Sequence, residues 1–143
     1  MKLNTRKILA LFLGSKNRAR VILKDKKKAQ ETVKKAFGKA LNNKGSLDDV
    51  WEKMQLLFGI SKDYLNGSYP NVPLGSLVAI LGGLIYFLSP IDVIPDFIPF
   101  LGFADDIFVL NLVYRQVVKD IEKYKLWKAD RANTEDVDVE ILS

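Results

Sequence analysis

Residues 74–88, LGSLVAILGGLIYFL, form fifteen consecutive positions without a charge. The apolar side chains do not fall on one stripe; they surround the helix that this spacing predicts. A helix that is hydrophobic all round lies either at the centre of a bundle or in a bilayer. At 1.5 Å per residue the segment is about 22 Å long, short of the roughly 30 Å hydrocarbon core. Gly75, Gly82 and Gly83 lack side chains, so another backbone can approach closely, which suits a tight helix pair in either solvent.

The flanks show how this helix is paired. Before it, Asn66-Gly67-Ser68-Tyr69-Pro70-Asn71-Val72-Pro73 is dense in turn formers and reads as a loop. After it comes SPIDVIPDFIPFLGFADD, residues 89–106, with three of the five prolines inside ten positions. A continuous helix is incompatible with that density, and the chain must turn. An amphipathic helix follows over about 104–128, with Ile107, Phe108, Leu110, Leu112, Val113, Val117 and Val118 as its apolar residues, and it becomes charged from Arg115 on, through Lys119, Lys123, Lys125 and Lys128. The expectation is an apolar α-hairpin joined by a Pro/Asp-rich turn.

The run SPIDVIPDFIPFLGFADD, continued by IFVLNLVYRQVVKDIEK, resembles the signature of the YkvA-like bacterial proteins, a domain of unknown function. The order of prolines, aspartates and glycine agrees, and the resemblance covers about residues 76–118. A similar stretch occurs in the membrane-embedded end of a ubiquitin ligase of the endoplasmic reticulum. The resemblance implies a fold and a membrane setting; it implies no activity, cofactor or substrate.

Asp92, Asp96, Asp105 and Asp106 are the only charges between Tyr64 and Tyr114, and acidic groups in apolar surroundings need partners or protons. The first reading is structural. Asp105 and Asp106 follow Gly102 at a helix start, and Asp92 follows Pro90, so these carboxylates can cap free amides and complement the helix dipole. Asp96 can accept backbone amides or pair with Arg115. The second reading makes the four a site for a divalent cation or for proton transfer. With no histidine and no cysteine in the chain, imidazole bases, thiolate nucleophiles, zinc sites of the usual kind and disulfides are excluded. Gly82-Gly83 lies outside any GxxxxGK pattern and is not a phosphate loop. No nucleophile and base are arranged recognisably, so the chain is expected not to be an enzyme and to need no cofactor.

The front of the chain is basic. Residues 1–44 hold 14 basic and 2 acidic residues, whereas 45–114 hold 2 basic and 8 acidic, 115–128 hold 5 and 2, and the tail 129–143 holds 1 and 5. The total of +5 conceals a basic front, an apolar middle and an acidic tail. Ile8, Leu9, Phe12 and Leu13 share helical spacing in a first short amphipathic helix. The run from Ile8 to Leu13 is shorter than the apolar core of a cleaved signal peptide. From Ser15, read as an N-cap, a long helix is expected to about Asn43, with Ile22, Ala29, Val33, Ala36, Phe37, Ala40 and Leu41 as a thin, alanine-rich stripe. Ser46 with Asp49 resembles a capping box opening a core helix over about 47–65, striped by Leu47, Val50, Trp51, Met54, Leu57, Phe58 and Leu65 and interrupted by Gly59. The tail alternates at period two in VDVEIL and reads as a frayed terminus.

Arg18, Arg20, Lys24, Lys27, Lys28, Lys34 and Lys35 are the candidate lipid-surface residues, because anionic head groups attract each nearby cation by about 1 kcal/mol. The plain alternative is a solvated charged face with no partner, and nucleic acid attracts the same charges. Nucleic acid is disfavoured here because Phe12 and Phe37 are the only aromatic residues in the first 44, too few for base stacking. The reading is therefore an all-α protein of about five helices: a basic helical region over 1–44, a helical domain over 45–128 and an acidic tail over 129–143. The expected role is a non-enzymatic adaptor or modulator at the cytoplasmic face of the cell membrane, with membrane lipids and a membrane protein as partners. If the apolar segment enters the bilayer, it does so as a short or re-entrant hairpin with both basic segments in the cytoplasm. The alternatives are a soluble, cytoplasmic helical bundle with an aspartate cation or proton site, and nucleic-acid binding through the basic helices.

Overall fold

The computed structural model describes residues 5–88 and 104–142, with side chains over 5–88 and 105–132. Its described residues form five α-helices and a 3-10 segment: α1 Thr5–Ile22, α2 Lys26–Asn42, the 3-10 segment Lys44–Val50, α3 Trp51–Leu65, α4 Leu74–Leu88 and α5 Ala104–Leu142. The fold is all-α, as the spacing predicted.

The apolar segment is the centre of the bundle. Residues 77–87 of α4 are all buried, covered by α1 on one side and by α5, α2 and α3 on the others. This resolves the all-round hydrophobicity in favour of protein: the apolar circumference is matched by other helices. No helix among the described residues is long and apolar enough to cross a membrane, so the transmembrane or re-entrant hairpin is not supported. The two helices of the predicted hairpin are paired, while its Pro/Asp-rich turn lies outside the described residues. Three contacts join α4 to α5 in antiparallel order: Ser76 donates to the Asp120 carboxylate, Gly83 faces Val113, and the Tyr86 hydroxyl donates to Asp105 Oδ2 at 2.9 Å.

Two of the three glycines act as the sequence suggests. A Cβ on Gly82 would stand 3.1 Å from the Lys16 Cα of α1, and one on Gly83 would stand 2.9 Å from the Val113 Cγ2 of α5. Adjacent glycines thus admit two neighbours on two sides of α4. Gly75 is exposed and has no neighbour within 4 Å of a Cβ.

Several sequence boundaries move. Ser15 is a buried residue inside α1, not a cap. The predicted long helix breaks instead at Asp25, whose side chain accepts the Lys28 amide at 3.2 Å and caps α2. No Gly or Pro marks this break, so only the capping chemistry of Asp25 signals it. Ser46 and Asp49 are exposed within the 3-10 segment and do not open α3, which starts at Trp51. Helix α5 continues to Leu142, through the stretch whose alternation suggested a frayed terminus.

Helix α2 rests on the core through Ala29, Val33, Ala36 and Ala40. Its last turn is tied to α4 by Lys39, whose ammonium donates to the Phe87 carbonyl at 2.5 Å and lies 4.8 Å from the Phe87 ring centroid. A cation there complements the negative end of the α4 dipole. The α3–α4 loop is held by an aromatic cluster in which Tyr69 meets Tyr124 at 5.3 Å and Trp127 at 4.9 Å.

Candidate membrane-facing surface and the buried carboxylates

Helix α1 is amphipathic in two senses. Its inner face, Ile8, Phe12, Ser15 and Ala19, is buried and packs mainly on α4. Its outer face also carries apolar residues. Leu9 is 38% exposed, Leu13 59% and Val21 66%, and helical geometry aligns them with Arg6, Ala10, Asn17 and Arg20 along one strip. The grouping of Ile8, Leu9, Phe12 and Leu13 as one face is therefore corrected: Ile8 and Phe12 enter the core while Leu9 and Leu13 point outward. The four-residue window could not separate the faces, because each leucine follows a core residue by a single 100° step.

The seven candidate cations Arg18, Arg20, Lys24, Lys27, Lys28, Lys34 and Lys35 are all exposed. Arg20 donates to Asn17 Oδ1 at 2.6 Å. Arg18, Arg20 and Lys24 lie at the end of α1 and in the turn, where Lys27 and Lys28 begin α2. Among the described residues the one ion pair is Lys125 with Glu122 at 3.7 Å, so these seven cations are not neutralised there by carboxylates. The corner between α1 and α2 is a concentrated positive surface continuous with the leucine-bearing strip of α1.

The aspartates divide. Asp105 and Asp106 occupy the first turn of α5 and are buried, at 4% and 8% exposure. Asp105 accepts the Tyr86 hydroxyl, a charge-assisted hydrogen bond across the α4–α5 interface. Asp92 and Asp96 lie outside the described residues. Among the described residues no group of three or more His, Cys, Asp or Glu side chains is placed to hold a metal ion.

A second polar contact, absent from the sequence reading, stabilises α5. The Tyr124 hydroxyl donates to Asp63 Oδ2 at 2.6 Å. Gly59 gives it passage, since a Cβ there would meet the hydroxyl at 2.9 Å. Burial, then the bond to Asp63 and its negative charge, raise the Tyr124 phenol above its ordinary value of 10.0. The interruption of the α3 stripe at Gly59 was the available signal, although its partner lies 65 positions away.

These features define a small helical bundle wrapped around an apolar helix and bearing a basic, partly apolar outer surface. Residues 76–112 match the family model described as "Protein of unknown function (DUF1232)". The chain is 31% identical over 103 residues to the "Uncharacterized membrane protein YkvA" of Bacillus subtilis (strain 168), covering 72% of this chain and 97% of that protein. It belongs to this YkvA-like family. It is also 42% identical over 50 residues to the "E3 ubiquitin-protein ligase RNF170" of Xenopus laevis, covering 29% of this chain and 20% of that protein. No solved structure matches the chain significantly.

Proposed function

We propose that this protein docks peripherally on an anionic membrane surface at the cytoplasmic face and acts there as a non-enzymatic adaptor or modulator of membrane partners. The observation that carries the reading is the outer strip of α1, where Leu9, Leu13 and Val21 stand exposed beside Arg6 and Arg20. Leucines on such a strip enter the head-group and acyl boundary while cations remain at the phosphates. Excess Lys and Arg favour the cytoplasmic leaflet, which carries the anionic lipids. The naming of the Bacillus relative as a membrane protein supports the same setting. The body of α4 takes no part, because residues 77–87 are already covered.

Sedimentation with vesicles of phosphatidylcholine alone and with added phosphatidylserine tests the proposal. Binding should require the anionic lipid and weaken with salt. Neutralising Arg18, Arg20 and Lys24 to Gln should reduce affinity by roughly fivefold per residue. Leu9→Gln with Leu13→Gln should reduce it by roughly tenfold per leucine. Equal binding to both vesicle types, or no loss in either variant, would refute the reading.

A further inference from the structure

A cleft of about 600 Å³ opens between α2 and α3, within the size range of small-molecule pockets. Its apolar wall is built by Val33 and Phe37 of α2 and by Phe58 and Leu65 of α3. Phe37 meets Phe58 edge to face, with ring centroids 5.3 Å apart and planes at 80°. The rings differ in burial: Phe58 is 6% exposed, whereas Phe37 is 41% exposed. At one end Gln30 Nε2 donates to the Leu65 carbonyl at 3.4 Å and joins the two helices.

The only ionisable groups lining the cleft are Lys34 and Lys62. Both are exposed, and neither has an ion-pair partner among the described residues. Lys62 also borders a second depression, of about 400 Å³, on the other side of Gly59. There Lys128 and Arg131 lie over the rings of Tyr124 and Trp127, and Asp63, its one carboxylate, already accepts the Tyr124 hydroxyl. The apolar trough is thus bordered by two lysines, placed along α2 and α3 between the Gln30–Leu65 contact and the Phe37–Phe58 pair, and Lys62 adjoins further cations.

We propose that the α2–α3 cleft binds a single-chain anionic amphiphile, with the alkyl chain along Phe37 and Phe58 and the carboxylate or phosphate head at Lys34 and Lys62. A neutral chain would leave the lysine rim unused, and a free anion would leave the aromatic wall uncovered. The site is separate from the outer face of α1 and shares with the candidate lipid-surface cations only Lys34.

Isothermal titration of the full chain tests the assignment, with dodecanoate, dodecyl phosphate, dodecyl maltoside and inorganic phosphate, each below its micellar concentration. Binding of either or both dodecyl anions, more tightly than the maltoside, is expected, and the two anions show whether a carboxylate or a phosphate is preferred. Inorganic phosphate alone should not bind measurably. Within one head group, affinity should fall roughly fourfold per methylene removed. Lys34→Glu with Lys62→Glu should remove the preference for anions, a loss of roughly tenfold for two exposed charge contacts. Phe37→Glu should weaken both chain types. Circular dichroism melting checks that each variant remains folded, and Phe37→Gln serves if the glutamate variant does not. Equal affinity for anionic and neutral chains, no chain-length dependence, or no binding would overturn the proposal. So would a cleft closed by a second copy, seen as concentration-dependent dimerisation that Phe37→Gln abolishes while no amphiphile binds.

Discussion

Helices α1 and α4 lie against one another and show opposite relations between hydrophobicity and exposure. Helix α4 carries no charge, yet residues 77–87 are enclosed; α1 carries Arg6, Lys7, Lys16, Arg18 and Arg20, yet leaves Leu9, Leu13 and Val21 outside. Hydrophobicity alone therefore does not identify the face available to lipid. What matters is whether neighbouring helices already cover the apolar surface. Four elements cover α4, whereas α1 is covered only on the face that meets the core.

Mutations can break this contrast. The largest effect is expected at Leu84, which is fully buried: Leu84→Ala should cost about 2–5 kcal/mol in urea unfolding. Leu13→Ala, by contrast, should stay within about 0.5 kcal/mol. Equal costs at the two sites would mean that α1 is also covered, or that α4 is not.

Next in size is the contact between Tyr124 and Asp63. Tyr124→Phe should cost about 1.5–3 kcal/mol, as for a hydrogen bond to a charged group. Its pH dependence has a definite sign. The phenol is raised in the folded state above 10.0, so the unfolded chain loses this proton first. The contribution is complete below pH 10 and is lost as pH climbs through the folded value. Stability of the wild type should therefore fall more steeply above pH 10 than that of Tyr124→Phe, and parallel profiles would contradict the assignment.

The glycine pair should give the smallest effects. Gly82→Ala places a Cβ 3.1 Å from a backbone atom of α1, and Gly83→Ala places one 2.9 Å from a Val113 methyl. Overpacking costs about 1–3 kcal/mol and the gain in helix propensity returns up to about 1 kcal/mol. A loss of about 1–2 kcal/mol is expected in each, measured by thermal melting, and stabilisation would show that the helices can separate without penalty.

Much of the fold was legible because the pattern is periodic. The stripe Leu47, Val50, Trp51, Met54, Leu57, Phe58 and Leu65 predicted a core helix, and all of these but the half-buried Trp51 are buried. The turn residues 66–73 set the start of the apolar helix at Leu74. Other features depend on long-range packing that local periodicity does not encode. The solvent around α4 is decided by α1, α2, α3 and α5 together, and the passage of Tyr124 beside Gly59 by residues far apart in sequence. The outward turn of Leu9 and Leu13 follows from which of two adjacent faces α4 accepts. At the candidate surface, the seven cations could be chosen from charge alone, but the apolar strip beside them could not. The α2–α3 cleft was likewise invisible, because Phe37 and Phe58 were assigned to separate stripes.

The central claim is that lipid meets the outside of α1 and not α4. Membranes isolated at low salt from cells expressing the chain can be washed with 1 M salt and then with alkaline carbonate. Surface docking predicts that the protein sediments with the membranes and is released by these washes, because salt screens exposed charges and no α4 surface is inserted. Retention after carbonate would place an apolar segment within the bilayer, and complete recovery in the supernatant at low salt would show that the outer face of α1 does not bind membrane.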